Sequence, residues 1–500
     1  MVTTRAGVGV ECGCLSQSPM TLDIGADSSG SEDATRFLPS RLAPIHRLRI
    51  PDDIFSMIFE LAVPADWKDK WLAPLTIAAV SRSWRRIALA TPRLWTRINS
   101  RTLSAFLPHA KLAPLEIGYE CFLRRESLRD FLSRVTPCSD QWRRLELIVK
   151  AAETPLLSHL ANIPATKLEC LEIGSQDEYL GMQPKLDLDL FSGFTPRLRE
   201  LELDTIRIPL TSPIFHSLIR LRLSDIYVEG TDEDLSHQLL RIVNACPNLE
   251  VLYLRNLYTH ISVDEGPDSS PALRTFLPFL RTFTLKHIQH PRVTRMLLES
   301  IQFPPTAQVK LYAHYEHDFD TELRHYFPSI PNLDLIKSLF IDWTCFNRIM
   351  RGWDCNDNEL LTMDYGNAAA LGAAREMRLV LQNYPMPNIT RLAIQNNEGE
   401  PPADCLTTIF SNFSLLTDVS VVFRGRFYPA DGQSLEGGPP ALTLVDCEYI
   451  DDSIIIELRS LNPSATIRRV LRRSPEEHFI EDSDKHHYLF PGRPNEDGTE

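Results

Sequence analysis

Between residues 112 and 421 the chain repeats one short pattern: an apolar residue, any two residues, a second apolar residue, any one residue, and a third apolar residue. The clear copies are Leu112/Leu115/Ile117, Trp142/Leu145/Leu147, Leu168/Leu171/Ile173, Leu198/Leu201/Leu203, Leu218/Leu221/Leu223, Leu249/Leu252/Leu254 and Leu280/Phe283/Leu285. Weaker copies follow at Ile336/Leu339/Ile341, Ile389/Leu392/Ile394 and Leu416/Val419/Val421. The first residues of the clear copies are 30, 26, 30, 20, 31 and 31 residues apart. An alternation of two inside a period of this size is what stacked strand-plus-helix units produce. Several copies are introduced alike, as in Pro196-Arg197-Leu198, Pro247-Asn248-Leu249 and Pro387-Asn388-Ile389. Leu235, Leu239, Leu240 and Val243, ahead of Cys246 and Pro247, predict a short amphipathic helix between two strands. Each unit then buries its face only against its neighbours. The alternative is an α/β domain without true repeats. The stretch from 342 to 388, with Gly352, Gly366 and Gly372, is too long for one unit and predicts a helical insertion or a loop.

In a strand, the residue between two core positions points to the other face. Read along the copies, these residues are Glu116, Glu146, Glu172, Glu202, Arg222, Tyr253, Thr284, Phe340, Ala393 and Ser420. The first four are acidic. Glu200 and Asp204, then Arg220, Arg255 and Lys286, flank them on the same face, so the charge turns from negative to positive near the middle of the array. One reading is a groove with a polar address for a protein substrate, formed by Glu116, Glu146, Glu172, Glu202, Arg220, Arg222, Tyr253 and Arg255. The other is that Glu is a soluble filler for exposed strand positions.

Ahead of the array, residues 48 to 95 carry more apolar surface than so short a helical segment can bury. Pro51 suits a first helical position and Asp52 and Asp53 complement the helix dipole. Ile54, Met57, Ile58 and Leu61 then form one stripe, and Phe55, Phe59 and Ala62 a second beside it. A second helix is expected from Pro74, with Ile77, Val80, Trp84 and Ile87 recurring along it; the spacing leaves open whether Trp84 continues that helix or starts a third. A surface of this kind calls for a partner, or else for packing against the rest of the chain.

The order Leu48, Pro51, an acidic pair, Ile58-Phe59, a spacer, Val80-x3-Trp84-Arg85-x-Ile87-Ala88 and Leu94-Trp95 resembles the F-box, as found in large fungal families of F-box proteins. It departs from that pattern in three places. Ile50-Pro51 stands for the usual Leu-Pro, Asp53 for the commoner Glu, and the spacer from Val63 to Ala73, holding Trp67 and Trp71, is long. The resemblance implies docking onto a Skp-family adaptor and, through it, onto cullin and RING subunits, by way of Leu48, Pro51, Ile54, Ile58, Phe59, Val80, Trp84 and Trp95. The array resembles leucine-rich repeats in the irregular form that often follows an F-box. Many such repeats keep an Asn at the ninth position; here that position is Ile206, Ile226, Leu257 and Ile288, and only Asn397 matches, so regular turns are not expected.

The expected fold class is therefore α/β: a small N-terminal all-helical F-box at 45–98, then a leucine-rich-repeat-like strand and helix solenoid at 105–465. A disordered tail of Gly, Ser, Thr and acids over 1–40 and a charged tail over 466–500 complete the expected layout. The implied function is a non-catalytic substrate-recognition subunit of a Skp-cullin-F-box ubiquitin ligase that binds a protein substrate; the alternative is a repeat scaffold outside ubiquitin transfer.

With 500 residues, 43% of them hydrophobic, the chain can build a large core, and a net charge of -14 argues against a nucleic-acid surface or an anionic membrane patch. No leader-like segment and no run of 18 apolar residues occurs, so an intracellular location, cytoplasm or nucleus, is expected and the ten cysteines should be free thiols. His314, His317, Glu316, Asp318 and Asp320 make the one metal-like cluster, with no second ligand set at a recognisable spacing; a solvated loop accounts for it, and no metal or other cofactor is expected. No phosphate-binding glycine loop and no nucleophile signature is present.

Overall fold

The structure, a computed structural model, describes residues 50–63, 72–123, 126–176, 186, 189–261, 274–288, 291–312, 330–343, 348–364, 386–396, 413, 415–423, 441–445 and 466–470. Both expected tails (466–470 apart), the spacer tryptophans, Leu48 and the His314 cluster lie outside them. The chain divides into two compact units, Met1–Phe55 and Ser56–Glu500.

Helix α1 (Asp52–Ala62) starts where the sequence places it: the N–H groups of Ile54 and Phe55 donate to the Pro51 carbonyl at 3.1 and 3.2 Å. Helix α2 (Ala73–Ala79) carries Pro74 in its first turn, and α3 (Arg82–Ala90) follows after a break at Val80-Ser81. Ser81 makes that break by capping the new helix, its side chain accepting from the Trp84 N–H at 3.1 Å. Trp84 thus opens a third helix instead of continuing the second. Arg85 ties the two together by donating from Nε to the Ala78 carbonyl at 3.0 Å.

A 3-10 turn at Pro92–Trp95 leads directly into strand β1 (Arg97–Asn99), and α4 (Leu103–Ala110) packs beside it. Trp95 sits at this junction, 2% exposed, its indole N–H donating to the Ala88 carbonyl at 2.8 Å and its ring edge-on to Phe106 at 5.0 Å. The helices from Ser56 onward therefore share one core with the start of the sheet.

The strands that follow are β2 (Leu115–Glu120), β3 (Trp142–Val149), β4 (Cys170–Ser175), β5 (Glu200–Asp204), β6 (Arg220–Thr231), β7 (Val251–Ile261), β8 (Thr275–Phe276), β9 (Thr282–Lys286), β10 (Ile301–Gln302), β11 (Gln308–Tyr312), β12 (Ser338–Trp343), β13 (Arg348–Trp353), β14 (Glu359–Asp364), β15 (Arg391–Asn396), β16 (Asp418–Phe423), β17 (Ala441–Val445) and β18 (Thr466–Val470). Sixteen of them form one sheet in the order β1-β2-β3-β4-β5-β6-β7-β9-β11-β14-β13-β12-β15-β16-β17-β18, while β8 and β10 pair separately. All neighbours in the large sheet run parallel except at β12-β13 and β13-β14. The connections include α5 (Leu128–Val135), α6 (Asp232–Asn244) and α7 (Pro291–Ser300), alongside 3-10 segments such as Ala151–Leu160 and Pro213–Phe215. Mixed connections of this kind, with a large mostly parallel sheet, make the irregular α/β array that the repeat pattern predicts.

The core positions of the pattern are buried as expected: Leu145, Leu171, Leu201, Leu221, Leu252 and Phe283 are each 0–1% exposed. Leu235, Leu239, Leu240 and Val243 on α6 are each 1% exposed, with Thr231 and Asp234 forming a capping box at its start. The first copy is an exception. Leu112 is 84% exposed, and β2 pairs two residues out of step with the pattern: Ile117 stands opposite Leu145 and Gly118 opposite Glu146, with a further irregularity between Leu115 and Glu116. Glu116 therefore stands opposite Arg144 and outside the row it was expected to open.

The backbone just past the core alternation, after β5 and β9 and within β6 and β7, is more regular than the missing asparagines suggest. Thr205, Asp225, Asn256 and His287 all adopt left-handed backbone, with φ of 61, 54, 47 and 50°. Each directly precedes a buried Ile206, Ile226, Leu257 or Ile288, 0–6% exposed. A left-handed residue followed by an apolar plug thus turns the chain where an asparagine ladder is absent.

The stretch from 342 to 388, expected to be a helix or loop, contributes two antiparallel strands among its described residues: β13 and β14, inserted between β11 and β12. A Cβ at Gly352 would come within 2.7 Å of Ile336 Cδ1 and 3.0 Å of its Cγ2, so the Ile336 side chain would have to shift to admit one.

Candidate interaction surfaces

The helical segment turns one face inward. Phe59 is 1% exposed and its ring lies 4.9 Å from that of Trp84; Ser56, one turn earlier, accepts from the Thr91 hydroxyl at 2.8 Å. With that face buried, helical geometry sends Met57, Ile58 and Leu61 outward, and they are 59, 45 and 84% exposed. Leu72, Leu75 and Val80 are exposed as well. In the first unit, Pro51 and Ile54 are each exposed. Of the residues the F-box resemblance implicates, then, Pro51, Ile54, Ile58 and Val80 lie on the surface, Trp84 is half-buried, and Phe59 and Trp95 are interior. The interior pair holds the helices in place. Met57 and Leu61, on the same stripe in the sequence, are the surface residues that the resemblance does not name.

The second surface is the face of the sheet opposite its core. Backbone register sets Glu146, Glu172, Glu202, Arg222, Tyr253 and Thr284 side by side on β3, β4, β5, β6, β7 and β9. The row then continues through Lys310, Thr362 and Arg351 before reaching Phe340 and Ala393. Lys310 and Arg351 were not found from sequence. Strand β11 has Val309 and Leu311 at two core positions, but Thr306, not leucine, where the pattern begins; the Pro304-Pro305 ahead of it is the signal that could have located it.

Across the β5-β6 boundary the charges meet in register, Glu200 opposite Arg220 and Glu202 opposite Arg222, with ion-pair distances of 3.4 and 4.0 Å. Arg222 also lies over the Tyr253 ring, 5.6 Å from its centroid. Arg255 reaches Asp204 at 3.6 Å and bonds Asp225, which also accepts from the Asn256 amide at 2.6 Å. Arg144 sits between Glu146 at 4.0 Å and Glu172 at 3.2 Å, and Glu116 accepts from Arg97 at 3.1 Å and from Arg143. The arginines of the basic centre are thus each engaged by a carboxylate of the acidic side.

Their electrostatics follow from burial and crowding. Glu202 titrates above the usual carboxylate range because it is partly buried and faces Glu172, with Arg222 opposing the shift. Burial likewise raises Asp204, against the pull of Thr205 and Arg255. Burial disfavours the charged Arg144, but Cys170, Glu146 and Glu172 together hold it above its ordinary value. The Cys170 thiol, next to it, is pushed up to about 12 by burial, which keeps it protonated and a poor nucleophile. The arrangement offers charged and aromatic contacts. Among the described residues no group of His, Cys, Asp and Glu could hold a metal ion, and no helix is long and apolar enough to cross a membrane.

No protein-family model and no curated protein sequence matches the chain. Among solved structures it is similar to a yeast complex of Rad7 and Elc1, at 11% identity over 83% of this chain and 92% of that chain. The TM-score is 0.24, too low for the likeness to bear on fold or function.

Proposed function

We propose that the protein is a substrate receptor: the helices of 52–90 bind a Skp-family adaptor that brings cullin and RING subunits, and the polar face of the sheet binds a protein to be ubiquitinated. The chain itself does no covalent chemistry. It acts by position, raising the concentration of a substrate lysine near the transfer machinery. Such a receptor works in the cytoplasm, the nucleus or both.

The observation that carries this reading is the outward stripe of α1, where Met57, Ile58 and Leu61 are 45–84% exposed although the opposite face is well packed. Covering each such side chain is worth about 1.5–3 kcal/mol, which is more than a helix needs to spare for solubility and enough to dock a partner. A competing reading, a repeat scaffold with no role in ubiquitin transfer, draws on the internal pairing of the sheet-face arginines.

The two are separated by co-expressing the chain with a fungal Skp-family adaptor and looking for a one-to-one complex on gel filtration. Ile58→Asp with Leu61→Asp should abolish the complex while leaving the fold intact, since both side chains are already in water. Absence of a complex with the unmodified chain would leave the scaffold as the better account.

A further inference from the structure

Three cations on the sheet face differ from Arg220, Arg222 and Arg255. Among the described residues no carboxylate pairs with Lys286 on β9, Lys310 on β11 or Arg351 on β13, and the buried Nε of Arg351 has no hydrogen-bond partner. Lys286 instead lies over the Tyr312 ring at 5.2 Å. Register places Lys310 next to Thr284 on one side and Thr362 on the other, with Arg351 beyond Thr362. The acids on neighbouring strands are Glu359, engaged by Gln308 at 3.0 Å and by Thr362, Asp364, in register with Tyr312, and Asp342, two residues along β12 from Phe340, the partner of Arg351. In a chain with net charge -14, unmatched cations set together on one face are costly unless something anionic meets them.

We infer that this patch, Lys286, Lys310 and Arg351 with Tyr253 and Tyr312, receives an acidic, carboxylate-bearing peptide segment of the bound protein. The inference rests on the receptor reading and names the substrate class for the same sheet face. Spacing supports it. Diagonal neighbours such as Lys286 and Lys310 stand roughly 7–8 Å apart, and alternate side chains of an extended peptide about 6.6–6.8 Å apart, so Glu residues two apart can meet both lysines. Chemistry selects carboxylate over phosphate. A phosphoryl group is best held by forked guanidinium groups, and Arg220, Arg222 and Arg255 already spend theirs on Glu200, Glu202, Asp204 and Asp225. The open cations are mainly lysines, which act as point charges.

The test is fluorescence anisotropy of the full-length chain with a labelled peptide in which Glu alternates with Ser, beside a Gln-for-Glu version and a version phosphorylated on its serines. The Glu peptide should bind, weaken with salt, and lose about tenfold or more in affinity in Lys286→Gln with Lys310→Gln, whereas Lys310→Arg keeps it. Equal binding of the Gln peptide, tighter binding of the phosphorylated one, no binding of the Glu peptide, or no loss in the double variant would each overturn the inference. Adaptor complex formation is read on the same preparation. A chain that forms the complex but ignores the Glu peptide overturns this inference alone; one that binds the peptide and no adaptor overturns the receptor reading alone.

Discussion

Leu61 on α1 is 84% exposed, while Glu146 on β3, a charged residue pointing away from the core, is 1% exposed. The two surfaces they belong to invert the usual assignment of apolar to inside and polar to outside. The stripe on α1 is apolar and uncovered, so its free energy is still available to a partner. The charges on β3 to β7 have already been drawn into Arg-carboxylate pairs, so a partner meeting that region must first compete with them. Uncovered apolar area marks where affinity can come from, and in the proposed receptor the paired sheet face would supply selectivity.

The largest test of this contrast lies in the helices themselves. Trp95→Ala removes a buried ring that packs on Phe106 and bonds Ala88, and should cost about 3–5 kcal/mol of stability by chemical denaturation. Leu61→Ala, an apolar truncation on the outward stripe, should stay within about 0.5 kcal/mol. Equal losses would mean that the stripe is covered within the protein, and the contrast between the two surfaces would fail.

On the sheet, Arg144→Met removes the cation that faces both Glu146 and Glu172, leaving two carboxylates with less compensation. A loss of about 1–3 kcal/mol is expected near neutral pH, shrinking in acid as those carboxylates gain protons. A loss that did not change with pH would assign the effect to lost packing of the Arg stem.

Glu202→Gln should act in the opposite direction. Burial and Glu172 raise the folded pKa of Glu202 above its unfolded value, so in the window between the two the folded chain holds more protons and stability falls as pH rises. The neutral variant escapes that fall. It should equal the parent chain at pH values below the unfolded pKa and exceed it above the folded one, even though it gives up the 4.0 Å pair with Arg222. A variant less stable than the parent at neutral pH would show that the pair outweighs the burial and the repulsion.

Much of this was legible from residues. The alternation in each copy fixed which side chains share a face, and the row from Glu146 to Thr284 follows from it because β3 to β9 pair without slipping along that row. Glu116 was misplaced because the first copy pairs two residues out of step with the second, Ile117 instead of Leu115 facing Leu145, an offset that keeps the same face and leaves no apolar signature. The stripe of α1 was evident, but which residues it would bury was not: Phe59 and Trp95 fit the F-box pattern equally well as contacts or as core, and only packing tells them apart. Strands β13 and β14 were hidden because they are antiparallel, so their pairing needs no repeat period.

The smallest effect concerns the left-handed residues that follow the core alternation of four strands. Thr205 is β-branched and held at φ 61°, a conformation that costs a non-glycine L residue about 1–2 kcal/mol and that Asn adopts more readily. Asp225 and Asn256 occupy the matching positions in β6 and β7 with residue types suited to it. Thr205→Asn should therefore raise stability by about 0.5–1 kcal/mol, seen as a higher denaturant midpoint at unchanged slope. The gain is limited because the Thr205 hydroxyl also donates to Asp204 at 3.1 Å, a bond the amide can replace from its own nitrogen. If Asn instead destabilises, the hydroxyl matters more than the backbone, and the left-handed turn at this position is held by its side chain. If it stabilises, the four turns are interchangeable backbone devices, and the array keeps its register through them without an asparagine ladder.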